Sequence, residues 1–241
     1  MEKLRELLEG IEPYSCLQAY HGIKSRLEGK YLEMPMDFFH SKVRGVDVYL
    51  TVAVRTDQPS VMLIESTKPI VDADPDEFFP LFDECRRTFP SVFQAAIWIT
   101  GRAVAQNAFA AFVKTLPMEF TSRMNSVVAY YMTPKQQEKV MSLNISLPEG
   151  YRFDKANLER DAQVITDTWT HSGKNEVEQT RLKLKYCPSA LVRFGDEPVG
   201  FEISSPFGTQ NHQFVVEEHR QKGLGRAVEM KMCQECIHAG C

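Results

Sequence analysis

Residues 214–230 read FVVEEHRQKGLGRAVEM, and this stretch decides the fold. Phe214, Val215 and Val216 are aromatic and β-branched, which predicts a strand. Leu224 to Ala239 keeps helical periodicity. Between them lies a turn, Arg220-Gln221-Lys222-Gly223-Leu224-Gly225. Where a strand turns into a helix, successive backbone N–H groups converge and the helix dipole adds partial positive charge. Gly223 and Gly225 carry no side chain to block an approaching phosphate. Lys222, Arg220 and Arg226 concentrate cationic charge in a chain whose net charge is −4. The turn therefore suits a pyrophosphate. The spacing is neither a Walker loop nor a dinucleotide fingerprint.

Outward from this turn, the residues behind it form a mixed pattern. Gln213 to Val216 is a predicted strand. Val199 to Ser204 is another, entered through a hairpin turn at Gly195-Asp196-Glu197-Pro198 from a strand at Ala190 to Phe194. Glu176 to Tyr186 is a predicted helix. A helix capped by Asn157 or Asp161 precedes it, and Tyr151 to Phe153 is a short strand. Ser146-Leu-Pro-Glu-Gly150 reads as a linker. The expected domains are 1–147 and 148–241.

The first half alternates in the same way. Met1 to Ile11 and Tyr14 to Glu28 read as helices. Val46 to Arg55 alternates as a strand with one buried face, and Val61 to Ile64 and Gln94 to Thr100 are further strands. Asp74-Pro75 and Thr133-Pro134 are helix starts, each a capping oxygen followed by a first-turn proline. Gly101 to Leu116 is an alanine-rich helix, and Val127 to Met132 reads as a strand. Phe78, Phe79, Phe82, Phe89 and Phe93 fall at core spacing.

The chain has 241 residues, 43% hydrophobic and 25% charged. That is enough for one large domain or two small ones with real cores. The slight acidic excess calls for no nucleic-acid partner. No apolar run approaches a membrane span. The acidic N-terminal segment has neither the basic head of a secretory signal nor the acid-poor composition of a transit peptide. Six dispersed cysteines suggest a reducing compartment. Cys233, Cys236, His238 and Cys241 are too crowded on one helix for a tetrahedral zinc site, so no metal is expected. His40 and His21 have no partner visible in the sequence and read as structural.

Arg220-Gln-Lys-Gly-Leu-Gly225 after a strand resembles the coenzyme A loop of the GNAT acyltransferase superfamily. The flanks are similar to the glycine N-acyltransferase family. They comprise Trp169 with Gly173, Asn175 and Glu176, Cys187-Pro188 before Ala190-Leu191-Val192, and Glu197-Pro198-Val199. Glu217 to Leu224 completes the match. The resemblance covers 151–241 and is faint over 1–145.

The resemblance implies an α/β fold, a mixed sheet, in two tandem GNAT-like halves. It implies direct transfer from an acyl-CoA co-substrate, with no bound cofactor, to glycine or another amino acid. Amides of Phe214, Val215 and Val216 would hold the pantetheine and polarise the thioester. Amides of Gln221, Lys222, Gly223, Leu224 and Gly225 would hold the pyrophosphate. The family's base position falls on Thr209, so His212 and Glu202 are the substitutes. Alternation points His212 away from the Thr209 face unless a bulge intervenes. Asn175 and Glu176 belong to the acceptor side. Two alternatives are a GNAT acting on another amine and a non-catalytic CoA-binding or interaction module. The family also implies a further strand after the last helix, so the sequence ending at Cys241 reads as a C-terminally truncated form. The open sheet edge would then favour a homodimer. The expected location is intracellular: mitochondrial by resemblance, or cytoplasmic.

Overall fold

The computed structural model describes residues 1–241 except 12, 13, 56, 57, 118, 122–124 and 171. The chain divides into two compact units, Met1–Val127 and Val128–Cys241. The expected junction at 147/148 thus falls inside the second unit.

In the first unit, α1 (Glu2–Glu9) and α2 (Leu17–Leu27) precede three strands, β1 (Met36–Val43), β2 (Val46–Ala53) and β3 (Ser60–Ser66). These pair antiparallel in sequence order. The β1–β2 hairpin turns on Arg44 and Gly45, both at positive φ. Two such residues match the twist of the strands they join. A 3₁₀ turn at Pro75–Phe78 leads into α3 (Phe79–Thr88). β4 (Ile97–Gly101) then pairs parallel to β3, and α4 (Ala103–Val113) follows. The core is aromatic: Phe78, Phe82, Phe93, Phe109 and Phe112 are buried, with Phe79 and Phe89 packed against them. These phenylalanines are core, as their spacing predicts. β1 was not legible in M-D-F-F-H-S-K-V, which lacks clean alternation; its hairpin partner β2 fixes it.

In the second unit, α5 (Pro134–Met141) precedes β5 (Tyr151–Asp154), α6 (Asp161–Asp167) and α7 (Glu176–Tyr186). Then come β6 (Ser189–Phe194), β7 (Glu197–Ser204), β8 (Gln210–Val215) and α8 (Leu224–Ala239). The sheet order is β5-β6-β7-β8, antiparallel throughout. α8 packs on one face through Leu224, Val228, Met232 and Cys236, against Ala190, Val192 and Val199. Ile165 and Leu184 of α6 and α7 cover the other face, against Leu191, Phe201 and Ile203.

α5 belongs with the second unit because Gln234 of α8 donates to Val140 O and Leu143 O, each at 3.0 Å. The strand expected at Val127 to Met132 does not form. The segment has no regular structure, and Val127, Val128, Tyr130 and Tyr131 are exposed. Among the described residues its apolar pattern finds no neighbouring strand to supply hydrogen bonds, and pattern alone cannot.

A buried ion pair fastens the second unit. Arg193 on β6 is 1% exposed and Asp161 on α6 is 0% exposed, with Nη2 to Oδ2 at 2.5 Å. Arg193 Nε also donates to Asp154 at 2.7 Å, and Asn157 N donates to Asp161 at 2.6 Å. Asn157 Oδ1 accepts from Arg160 N at 2.9 Å, but the N-cap position of α6 is Arg160, with no side-chain cap bond, so the expected cap by Asn157 or Asp161 does not form. These bonds favour the ionised carboxylates: Arg193 holds Asp154 below the usual range, and Asp161 is also lowered despite its burial.

Candidate acyl-transfer site

The end of β8 runs through a 3₁₀ turn, Glu217–His219, into the loop before α8. Gln221 (φ 61°) and Gly223 (φ 80°) are left-handed there. A Cβ on Gly223 would meet nothing within 4 Å, so the concave side is open space. Ala227 N donates to Gly223 O at 3.1 Å and is the first donor to close a helical turn. The preceding first-turn amides have no intrahelical acceptor. The loop therefore presents donors to open space, with Lys222 and Arg226 exposed beside it. A pyrophosphate fits this set of donors.

β8 is the edge strand among the described residues. Val216 N donates inward to Val199 O at 2.9 Å. Antiparallel alternation then turns the N–H and C=O of Val215 to the outer edge, with the Phe214 amide inward. Arg220 Nε donates to that Val215 carbonyl at 2.9 Å, and its guanidinium lies 5.6 Å from the Phe214 ring centroid. Of the three strand residues, Val215 is thus the one whose amide faces outward, and Arg220 braces the edge.

The register of β7 and β8 shifts between Phe201 and Ile203, so His212 and Gln213 both stand opposite Glu202. His212 has φ 53°. This bulge supplies the exception to strand alternation and turns His212 onto the α6–α7 face. Its ring lies 4.5 Å from Trp169 and 5.7 Å, edge-on, from Phe201. Nε2 hydrogen-bonds Thr168 Oγ1 at 3.0 Å. Burial, with Lys183 nearby, lowers its pKa to about 4. His212 is therefore neutral and weakly basic.

Glu202 occupies the opposite face of the sheet, toward α8. It is 6% exposed, and its Oε2 has no hydrogen-bond partner among the described residues. Burial first, then the charge of Glu229, raises its pKa to about 7. A carboxyl tuned near neutrality can take a proton from an amine far better than an ordinary carboxylate. The sheet thus separates the two candidate bases. Thr209 lies exposed in the β7–β8 turn, hydrogen-bonded to Ser205 Oγ at 2.6 Å, away from both.

On the α6–α7 side, Glu176 is 2% exposed and pairs with Lys183 at 3.5 Å. Lys183 stands 5.9 Å from the Trp169 ring centroid. Glu176, Lys183, Trp169 and His212 therefore form one continuous chain of contacts. Sequence reasoning missed Lys183. The signal was its spacing of seven residues, two helical turns, from Glu176 on α7. Residue 171, in the loop between α6 and α7, lies outside the described residues. Cys233 and Cys236 both contact the Gln210 side chain, whose Nε2 lies 3.5 and 3.8 Å from their sulfurs. His40 pairs with Asp47 at 2.8 Å, and burial takes the His21 pKa down to about 4.

No family model matches the chain. Two solved structures are similar to it. One is the X-ray structure of a Drosophila protein from a structural genomics consortium. It is 14% identical with a TM-score of 0.66, over 99% of this chain and 84% of that one. The other is a GCN5-related N-acetyltransferase from Kribbella flavida, 13% identical with a TM-score of 0.51, over 94% and 83%. At these identities the likeness is one of fold. The fold is mixed α/β and GNAT-like.

Proposed function

We propose that the second unit binds acyl-CoA and transfers the acyl group to a primary amine, with glycine or another amino acid as acceptor. The observation that supports this most is the open turn at Arg220 to Gly225 between a bulged edge strand and a long helix. A GNAT-like fold agrees with it. Amides of residues 221–225 hold the pyrophosphate, and Lys222, Arg220 and Arg226 supply charge. The outward amide of Val215 holds the pantetheine edge and polarises the thioester carbonyl.

Only the unprotonated amine is nucleophilic. Glu202 takes the ammonium proton; the amine nitrogen attacks the thioester carbonyl; the C–S bond breaks; the CoA thiolate leaves and is protonated. Glu202 is the better base of the two, because its pKa near 7 lies closer to that of the amine than the value of about 4 at His212. On this reading His212 secures the bulge through Trp169 and Thr168.

The Glu176–Lys183–Trp169 chain lies across the sheet from Glu202 and takes no part in the proton transfer; the location is intracellular, mitochondrial or cytoplasmic. The outer edge of β8 also offers unpaired groups to a second copy of the chain, a dimer that light scattering at rising concentration reads.

Thiol release from acyl-CoA in the presence of glycine and of other amines tests the proposal. Turnover with an amino acid supports it. Turnover with polyamines alone moves the acceptor class. Bound CoA with no thiol release for any amine favours the non-catalytic module, for which the exposed Thr209 at the family's base position is the supporting observation.

A further inference from the structure

We propose that Phe194, with Tyr151 and His219 behind it and Lys222 beside it, is the subsite for the 3′-phosphoadenosine end of CoA. The inference rests on the acyl-CoA reading above and extends it. Phe194 ends β6 and is 47% exposed, the one large apolar side chain left exposed in the strands of the second sheet among the described residues. Its ring lies 5.0 Å from Tyr151 and 5.3 Å from His219, and those two rings are 5.7 Å apart edge-on. Three mutually packed rings make a stiff shelf at the end of the sheet where the glycine turn begins.

Lys222 connects shelf and turn. Its Nζ donates to Tyr151 Oη at 3.0 Å and to Glu218 O at 3.1 Å. Tyr151 Oη and His219 Nδ1 also share a hydrogen bond of 2.9 Å. The network holds an exposed cation at the junction between an aromatic face and the glycine turn. A ligand carrying a purine, a phosphate and a pyrophosphate in succession matches that order. Stacking suits the purine because every base has a π-face. The Lys222 ammonium, a compact point charge, suits the 3′-phosphate.

Calorimetry on the full chain tests this with acetyl-CoA, S-acetyl-4′-phosphopantetheine and adenosine 3′,5′-bisphosphate. Phe194→Ala should weaken acetyl-CoA roughly five- to tenfold and leave the phosphopantetheine thioester unchanged. Adenosine 3′,5′-bisphosphate should compete with acetyl-CoA in the wild type and less well in the variant. Phe194→Leu keeps apolar cover over Tyr151 and should show the same selective loss. Lys222→Met should cost acetyl-CoA more than acetyl-dephospho-CoA. Equal losses for CoA and phosphopantetheine ligands, or no loss for either, overturn the subsite and leave the phosphate turn standing. No binding of acetyl-CoA by the wild type overturns the acyl-CoA reading and the subsite with it.

Discussion

The two units share a run of helix, helix, three antiparallel strands and helix, yet their strand-to-helix connections are opposites. In the first unit, residues 67–78 carry Asp72, Asp74, Asp76 and Glu77 against one lysine. Asp74 and Glu77 form a capping box that satisfies the helix start from within, and Arg44 Nε binds Glu77 at 2.8 Å. Pro75 and Pro80 remove backbone donors. The outer edge of β3 is taken by β4, so closely that a Cβ on Gly101 would sit 2.7 Å from Ile64 O. In the second unit the connection is short and glycine-bearing, with Arg220 and Lys222 balancing Glu217 and Glu218, and β8 has no outer partner among the described residues. A shared strand order therefore does not confer an anion site. Donors left open at the turn, and an edge left open beside it, are what the proposed anion site rests on.

The cores differ too. Packed phenylalanines, mostly edge-on or tilted, hold the first unit, whereas a buried Arg193–Asp161 pair ties β6 to α6 in the second. A charged fastener fails when one partner is removed, since the other is left buried and uncompensated.

The largest expected effect tests where the chemistry lies. Glu202→Gln should lower kcat by roughly 10²–10⁴-fold while acyl-CoA affinity stays put. The wild-type rate should rise with pH through about 7 as Glu202 ionises, and the variant should lose that limb. The stability consequence has the opposite slope. Glu202 is raised in the folded state, so its contribution is full below the ordinary carboxylate range and is lost as pH rises through about 7. Glu202→Gln should therefore flatten the decline in Tm between the ordinary carboxylate range and about pH 7. An unchanged pH–rate profile would return the base role to His212 or to neither.

Asp161→Ala should cost about 3–5 kcal/mol. Hydrogen exchange should show the loss confined to the second unit, with the aromatic unit protected as before. Because Asp161 is lowered in the folded state, its contribution is present above the ordinary aspartate range and disappears as the solution is acidified. Uniform deprotection of both units would break the distinction between their cores.

Gly223→Val should weaken acyl-CoA at least about tenfold by calorimetry, because a branched side chain enters the open side of the turn. The left-handed backbone there adds a stability cost of about 1–2 kcal/mol. Unchanged affinity in a folded variant would sink the phosphate role. At the small end, Arg44→Ala should barely move Tm, being an exposed pair, and should leave acyl-CoA affinity unchanged. A loss of affinity there would mean that the acidic connection takes part in binding after all.

Much of the frame was legible along the chain. α7 and α8 fall where periodicity places them, and the helix starts at Asp74 and Thr133 form as their residues predict. Local rules suffice there because caps, turns and helical faces are decided within a few residues. The glycine turn was legible for the same reason, since its donors and its left-handed residues lie within one loop. Val127 to Met132 was misread because a strand needs a partner elsewhere, and none of the local residues supplies one.

The amino-acid sequence by itself determined the α/β alternation, the helix starts and the cationic glycine turn, all short-range consequences of backbone and side-chain chemistry. Only the tertiary structure decided what surrounds each titratable group. It placed the bulge that turns His212 onto Trp169, the burial that lifts Glu202 toward neutrality, and the meeting of Arg193 with Asp161 across 32 residues. Basicity and burial depend on neighbours brought together from distant segments, and no periodicity along the chain encodes those distances.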